Sequence, residues 1–163
     1  MNRYYGKYRG KVAGNTDIDR MGKLLVTCPR VLGTGVVPAM PCVPFAGRGE
    51  GFYMLPGIGS NVWVEFEAGD PSRPIWSGCF WDEQSIPTAA LLPSVRTITT
   101  AASEVTLDDA PGGGLRLRVG PPVVQTPCTI SCSTQGITIS FGSSVISLDV
   151  KQVDVNNGAL QVV

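Results

Sequence analysis

Apolar and polar residues alternate with period two through most of the chain, and the three-to-four-residue spacing of an amphipathic helix is almost absent. The clearest run is "NVWVEFEAGD". Val62, Val64 and Phe66 fall on one face there, and Trp63, Glu65 and Glu67 on the other. Upstream, "YRGKVAG" and "GKLLVTCPRV" read as two strands joined by "NTDIDRM", in which Asn15, Asp17 and Asp19 can bond their own backbone and favour a turn. "PIWSGCFW", ending at Trp81, is the expected partner of the Val62 strand. Between them "GDPSRP" reads as a hairpin loop: Gly69 tolerates positive φ, Asp70 can cap the turn, Pro71 presets φ and Pro74 opens the next strand. "MPCVPFAGRGEGFYMLPGIGSN" is too rich in Pro and Gly for a regular element and is expected to cross a barrel end as a long loop. Five short strands in about 80 residues fit a small closed barrel of the OB type.

The texture changes after Trp81. "DEQSIPTAALLPSVRT" reads as a linker, and from about Ile98 short strands recur every seven to nine residues or so, several separated by Gly or Asn. Their apolar positions are Cys128, Ile130 and Cys132; Ile137, Ile139 and Phe141; Ile146, Leu148 and Val150; Val153 and Val155; Leu160 and Val162. Thr and Ser stand opposite many of them. Strands this thin cannot enclose a core within one chain of this length, so several chains are expected to wind about a common axis as a β-helix or β-prism. Five or six strands stacked about 4.8 Å apart would make a shaft roughly 25 to 30 Å long. The reading is therefore all-β: residues 1–82 an OB-fold barrel, 83–97 a linker, and 98–163 an intertwined β-helix of several chains.

Composition narrows the chemistry. Charged residues make up only 16% of the chain, with 20 Gly and 13 Pro, which suits strands and turns. Thirteen basic and thirteen acidic side chains cancel, so no long-range pull on a polyanion or anionic membrane is expected. The absence of His removes the commonest general base and metal ligand together, and no catalysis or cofactor is expected. Five cysteines without a CxxC spacing read as buried free thiols; winding several chains together would repeat Cys128 and Cys132 near the axis, where core packing is expected in preference to metal binding. "MNRYYGKYRG" lacks the apolar run of a signal peptide and no stretch approaches a membrane span, so assembly in a reducing bacterial cytoplasm is expected.

Other candidate chemistry is weaker. "GRGEG" and "GIGS" match no phosphate-loop pattern and read as structural loops. Asp17/Asp19, Glu65/Glu67, Asp82/Glu83 and Asp108/Asp109 read as solvated turn or strand carboxylates rather than acid–base pairs for glycoside cleavage.

Taken in order, "GKVAGNTDIDRMGKLLVTCP" and then "MPCVPFAGRGEGFYMLPGIGSNVWVEFEAGDPSRPIWSGCFW" resemble the N-terminal OB-fold of phage central spike proteins, also called baseplate assembly protein V, and of VgrG-like spikes of contractile injection systems. The matching positions include Val12, Asp17, Gly22, Val26, Pro29, Pro44, Gly47, Gly51, Pro56 and Gly59. They continue through Val62, Val64, Phe66, Gly69, Asp70, Pro74, Gly78 and Trp81. The resemblance implies a homotrimer in a virion tail baseplate, or an extracellular injection particle, mounted on a tail hub ring with a needle that touches the target membrane transiently and punctures the envelope. It makes residues 1–82 the hub-docking domain and 98–163 a trimeric β-helix needle; the short linker leaves no room for the lysozyme-like domain of some members, and without His the iron-binding apex of others is not expected. On that basis Tyr4, Tyr5, Tyr8 and Arg9 are expected to dock on the hub, and Leu160, Val162 and Val163 to receive a PAAR-type tip protein. The plainer alternative is that the last three finish the needle core.

Two rival readings remain. An OB-fold could bind single-stranded nucleic acid through Tyr4, Tyr5, Lys7, Tyr8, Arg9 and Lys11. A tail-tip adhesin could hold carbohydrate on Trp63, Trp76 or Trp81.

Overall fold

A computed structural model describes residues 2–83, 85–87 and 92–162, and nearly all of its regular structure is β. It divides into two compact units, Met1–Ser85 and Ile86–Val163.

The first unit is a closed barrel of five strands, β1 (Tyr8–Gly14), β2 (Leu24–Thr27), β3 (Val36–Pro41), β6 (Asn61–Phe66) and β7 (Pro74–Cys79), in the order β1-β2-β3-β7-β6. The alternation in β6 is realised as drawn from the pattern. Val62, Val64 and Phe66 are buried, while Trp63 and Glu65 are half-buried on the outer face. They join Val12, Leu24, Val26, Cys28, Ala39 and Trp76 in one core. Closing the ring requires β7 to pair with β6 antiparallel on one side and with β3 in parallel at Met40 and Pro41 on the other. β7 reaches both neighbours by bulging between its Trp76 and Cys79 contacts, where Gly78 adopts φ of 95°.

Three local expectations change. β2 stops at Thr27, because Pro29 cannot continue a ladder; it opens instead a single helical turn, α1 (Pro29–Leu32). The glycine-rich stretch after β3 is not wholly irregular: β4 (Ala46–Gly47) and β5 (Glu50–Gly51) pair as a two-rung hairpin. β7 ends at Cys79, two residues short of Trp81.

The second unit is a single antiparallel meander of eight strands. They are β8 (Val95–Thr99), β9 (Ser103–Asp108), β10 (Gly114–Val119), β11 (Cys128–Ser133), β12 (Gly136–Phe141), β13 (Ser144–Leu148), β14 (Val153–Val155) and β15 (Leu160–Val162). Every strand pairs only with its sequence neighbours. Eight strands replace the expected five or six, because the stretches from 95 to 119 also join the sheet. Val150 leaves the apolar set: β13 ends at Leu148, Asp149 turns the chain by accepting from the Lys151 and Gln152 amides, and Val150 is fully exposed. At the start of β12 a side-chain carbon on Gly136 would run into the Leu148 carbonyl oxygen, so the tight turn after β11 needs a residue with no Cβ.

Candidate functional site

The barrel hairpin between β6 and β7 is built by local capping. Asp70 Oδ1 accepts from the Ser72 amide at 2.9 Å and from the Ser72 hydroxyl at 2.8 Å, which holds its carboxyl below the usual range. Gly69, at φ of 74°, passes so close to Tyr5 and Tyr4 that a side chain there would press on both. The N-terminal segment straps this hairpin down: the Tyr4 amide donates to the Gly69 carbonyl at 2.9 Å, and Arg3 Nη1 to the Ala68 carbonyl at 2.9 Å.

That strap divides the four residues expected to dock on a hub. Tyr4 and Tyr8 turn inward and meet edge to face at 6.2 Å between centroids, with Phe66 at 6.1 and 5.8 Å. Arg9 lies over Trp63 and Phe80, its guanidinium 5.6 and 4.9 Å from their ring centroids. Tyr5 is the open member of the set, 71% exposed.

The same placements weigh on the rival readings. A row of stacking aromatics for single-stranded nucleic acid is not formed by Tyr4 and Tyr8, whose rings pack on the barrel. Lys7 is held by the Glu65 carboxylate at 3.1 Å and by the Ser77 hydroxyl at 2.8 Å. Hydrogen bonds from Ser77 and then Lys7 hold the Glu65 carboxyl below its ordinary value. Trp76 is buried and its Nε1 donates to the Gly22 carbonyl at 3.0 Å, so it offers no face to a sugar. Gly22 in turn donates its amide to Asp17 Oδ2. Asp17, Gly22 and Trp76 therefore tie the β1–β2 connection to the wall opposite. Replacing Trp76→Phe keeps most of the apolar volume and removes this donor. The expected loss is about 1 to 2 kcal/mol, read as a barrel melting midpoint lower by roughly 4 to 16 °C in calorimetry.

The second unit carries the more extended feature. Residues directly opposite in an antiparallel pair point to the same face. The register therefore aligns Ile98, Val105, Leu117, Ile130, Ile139, Ile146, Val155 and Leu160 in one unbroken column across all eight strands. A second column beside it runs Leu107, Leu115, Cys132, Ile137, Leu148, Val153 and Val162. The reverse face carries an unbroken polar column, Thr97, Thr106, Arg116, Ser131, Thr138, Ser147, Asp154 and Gln161, in register. In one chain the apolar columns stand open: Leu117 is 38% exposed, Ile139 42% and Leu160 59%. An apolar sheet face of this extent marks a protein contact.

Of the residues expected to meet a tip protein, Leu160 and Val162 lie on β15, the terminal strand of this sheet, and both are exposed. Val163 lies outside the described residues. Sequence reasoning did not pick out the patch formed by Met21, Phe45, Phe52, Tyr53 and Met54 at one end of the barrel. Its signal was available: four of the five fall in the stretch set aside as an irregular loop. Among the described residues no group of His, Cys, Asp or Glu is arranged to hold a metal ion.

The thiols give a direct reading of which face is covered. Cys28 is buried in the barrel, which pushes its thiol pKa up; Cys42 and Cys79 are exposed, but desolvation raises the Cys79 thiol as well, so it reacts the more slowly of the two. Cys128 and Cys132 lie on the apolar face of the meander. In the assembled protein a thiol reagent at neutral pH is expected to modify Cys42 and Cys79 and to spare Cys128 and Cys132, with all five reacting after denaturation. Peptide mapping of the modified sites checks this.

Comparison with protein-family models matches residues 8–81 to the type VI secretion system/phage-baseplate injector OB domain, and residues 94–161 to the phage baseplate V C-terminal trimerisation domain. A comparison with curated proteins gives no match. The two domain matches coincide with the closed barrel and the eight-stranded meander and together cover most of the chain, which belongs to the phage baseplate V family of injector proteins.

Proposed function

We propose that three copies of this chain form the central spike of a phage tail baseplate or a related contractile injector, mounted on the tail hub and used to puncture the target envelope. The observation that carries the reading is the pair of uninterrupted apolar columns on one face of the meander. Three such sheets, each one wall of a prism, would turn their columns to a common axis and leave the Thr, Ser, Arg and Gln ladders in water. With eight strands spaced about 4.8 Å apart, the shaft would be roughly 34 Å long. Its action is mechanical: a dry, hydrogen-bonded shaft passes axial load without chemistry, so the chain is read as a structural part rather than an enzyme.

Mass measurement of the purified, undenatured protein tests the reading. Three chain masses of 17.2 kDa each are expected at working concentration, and a cooperatively folded monomer would overturn it. Within this reading Arg9 lies on β1 over Trp63 and Phe80, while the exposed Tyr5 on the strap is the tyrosine of the N-terminal cluster available to a hub ring. Tyr4 and Tyr8 support it from beneath. A PAAR-type tip protein would meet β15 through Leu160 and Val162. Its capture by the native chain, and equal capture by a chain lacking residues 158 to 163, would refute tip docking there.

A further inference from the structure

The barrel end that carries the β4–β5 hairpin holds an open cavity of about 480 Å³, bordered by Met21, Phe45, Phe52, Tyr53 and Met54. These side chains are far from covered: Phe45 is 58% exposed and Tyr53 66%. Arg20 and Glu50 also border the cavity, and among the described residues neither has an ion-pair partner. A monomeric domain gains nothing from holding two Phe, two Met and a Tyr against water.

We infer that this patch is a contact between barrels of neighbouring chains, closing the three barrels of one trimer into a ring with Arg20 of one chain against Glu50 of the next. The inference rests on the trimeric reading above. Three observations favour a second copy of the chain as occupant. Trimerisation through the second unit places three identical patches on one particle, joined to it by the segment from Phe80 to Ser94. That segment spans at most about 50 Å, so the barrels meet one another at an effective concentration on the order of millimolar, and even a weak apolar contact closes. The cavity border also offers one unpaired charge of each sign. A head-to-tail contact repeated around a threefold axis consumes both and leaves none over. Finally, the patch combines a cavity with exposed rings, Phe45 and Tyr53, so that one barrel can offer rings to the cavity of the next.

The test uses the full chain with Arg20→Lys, so that a carbodiimide can join the new amine to a nearby carboxylate. Trimers are assembled from mixed isotopically light and heavy chains, and linked peptides are sought by mass spectrometry. A heavy–light link between positions 20 and 50 is expected. It should fall by about tenfold when Phe45→Ser and Phe52→Ser are added, while the native mass stays trimeric. Absence of the heavy–light link in intact trimers would overturn the ring and leave the patch to a different protein. A monomeric mass in the unsubstituted chain would instead overturn the spike reading, so the two failures are distinct.

Discussion

Ile139→Asp is expected to convert the assembly from three chain masses to the single mass of 17.2 kDa in native mass measurement or light scattering. Ile139 sits in the middle of the first apolar column, between Ile130 and Ile146. A trimer would carry the carboxylate three times near one axis, away from water and beside two like charges. At about 3 kcal/mol per chain the penalty is on the order of 9 kcal/mol, or some six decades in the association constant. Crowding raises the pKa of such a carboxyl in the assembled state, so the destabilisation is greatest above the ordinary Asp value. It shrinks as pH falls and the group is neutralised, and partial recovery of the trimer near pH 4 is expected. The control is Thr138→Asp, one residue away on the polar face, where the charge stays solvated and the mass stays trimeric. A trimer that survives Ile139→Asp at neutral pH would show that the apolar columns do not face the axis.

Val64→Asp is expected to unfold the barrel while the C-terminal unit keeps the chain trimeric. Val64 is fully buried among the core residues of β6. Removing it forfeits about 1.5 to 3 kcal/mol of apolar burial, and the unpaired carboxylate adds several more. Against a stability of roughly 5 to 15 kcal/mol for a domain, that sum empties the folded state or nearly so. The readout is specific because Trp63, Trp76 and Trp81 all lie in the first unit, so tryptophan emission reports the barrel alone. A red shift to the solvent-exposed maximum with an unchanged trimeric mass is expected. Glu65→Gln, on the outer face of the same strand, removes the exposed ion pair with Lys7 and weakens the hydrogen bond from Ser77. It should cost no more than about 1 kcal/mol. If emission is unmoved in Val64→Asp, the barrel core is not where the alternation of β6 places it.

The strand and hairpin of residues 61–79 could be read from the chain because side-chain alternation and turn chemistry are local properties. Asp70 caps its turn, Gly69 takes positive φ and Pro74 opens β7 as those residue types demand. β3 gave no such signal. It contains Pro38 and Pro41, which argue against a strand; Pro38 lies outside the short pairing with β7 at Met40 and Pro41, and Pro41 ends the strand, where the Cys42 amide donates to the Trp76 carbonyl. The N-terminal tyrosines show a different limit. Tyr4 and Tyr8 pack on Phe66 while Tyr5 stays open, a division set by the strap's bonds to Ala68 and Gly69 some 65 residues away, and no local pattern encodes it. In the second unit the period-two rhythm announced an apolar face. The continuity of one column over all eight strands, and of its neighbour over seven, became visible only with the register, since one residue of slip in any pair would have sent its Ile and Val to the opposite side.

Because each strand of the meander bonds only to the strand before and after it in the chain, the whole sheet is low in contact order, and its hairpins can zip without waiting for distant partners. What a lone chain cannot do is stabilise the zipped sheet, since its apolar columns remain wet until two more copies arrive. Refolding from denaturant should therefore show a rapid unimolecular gain of strand signal followed by a phase that accelerates with protein concentration.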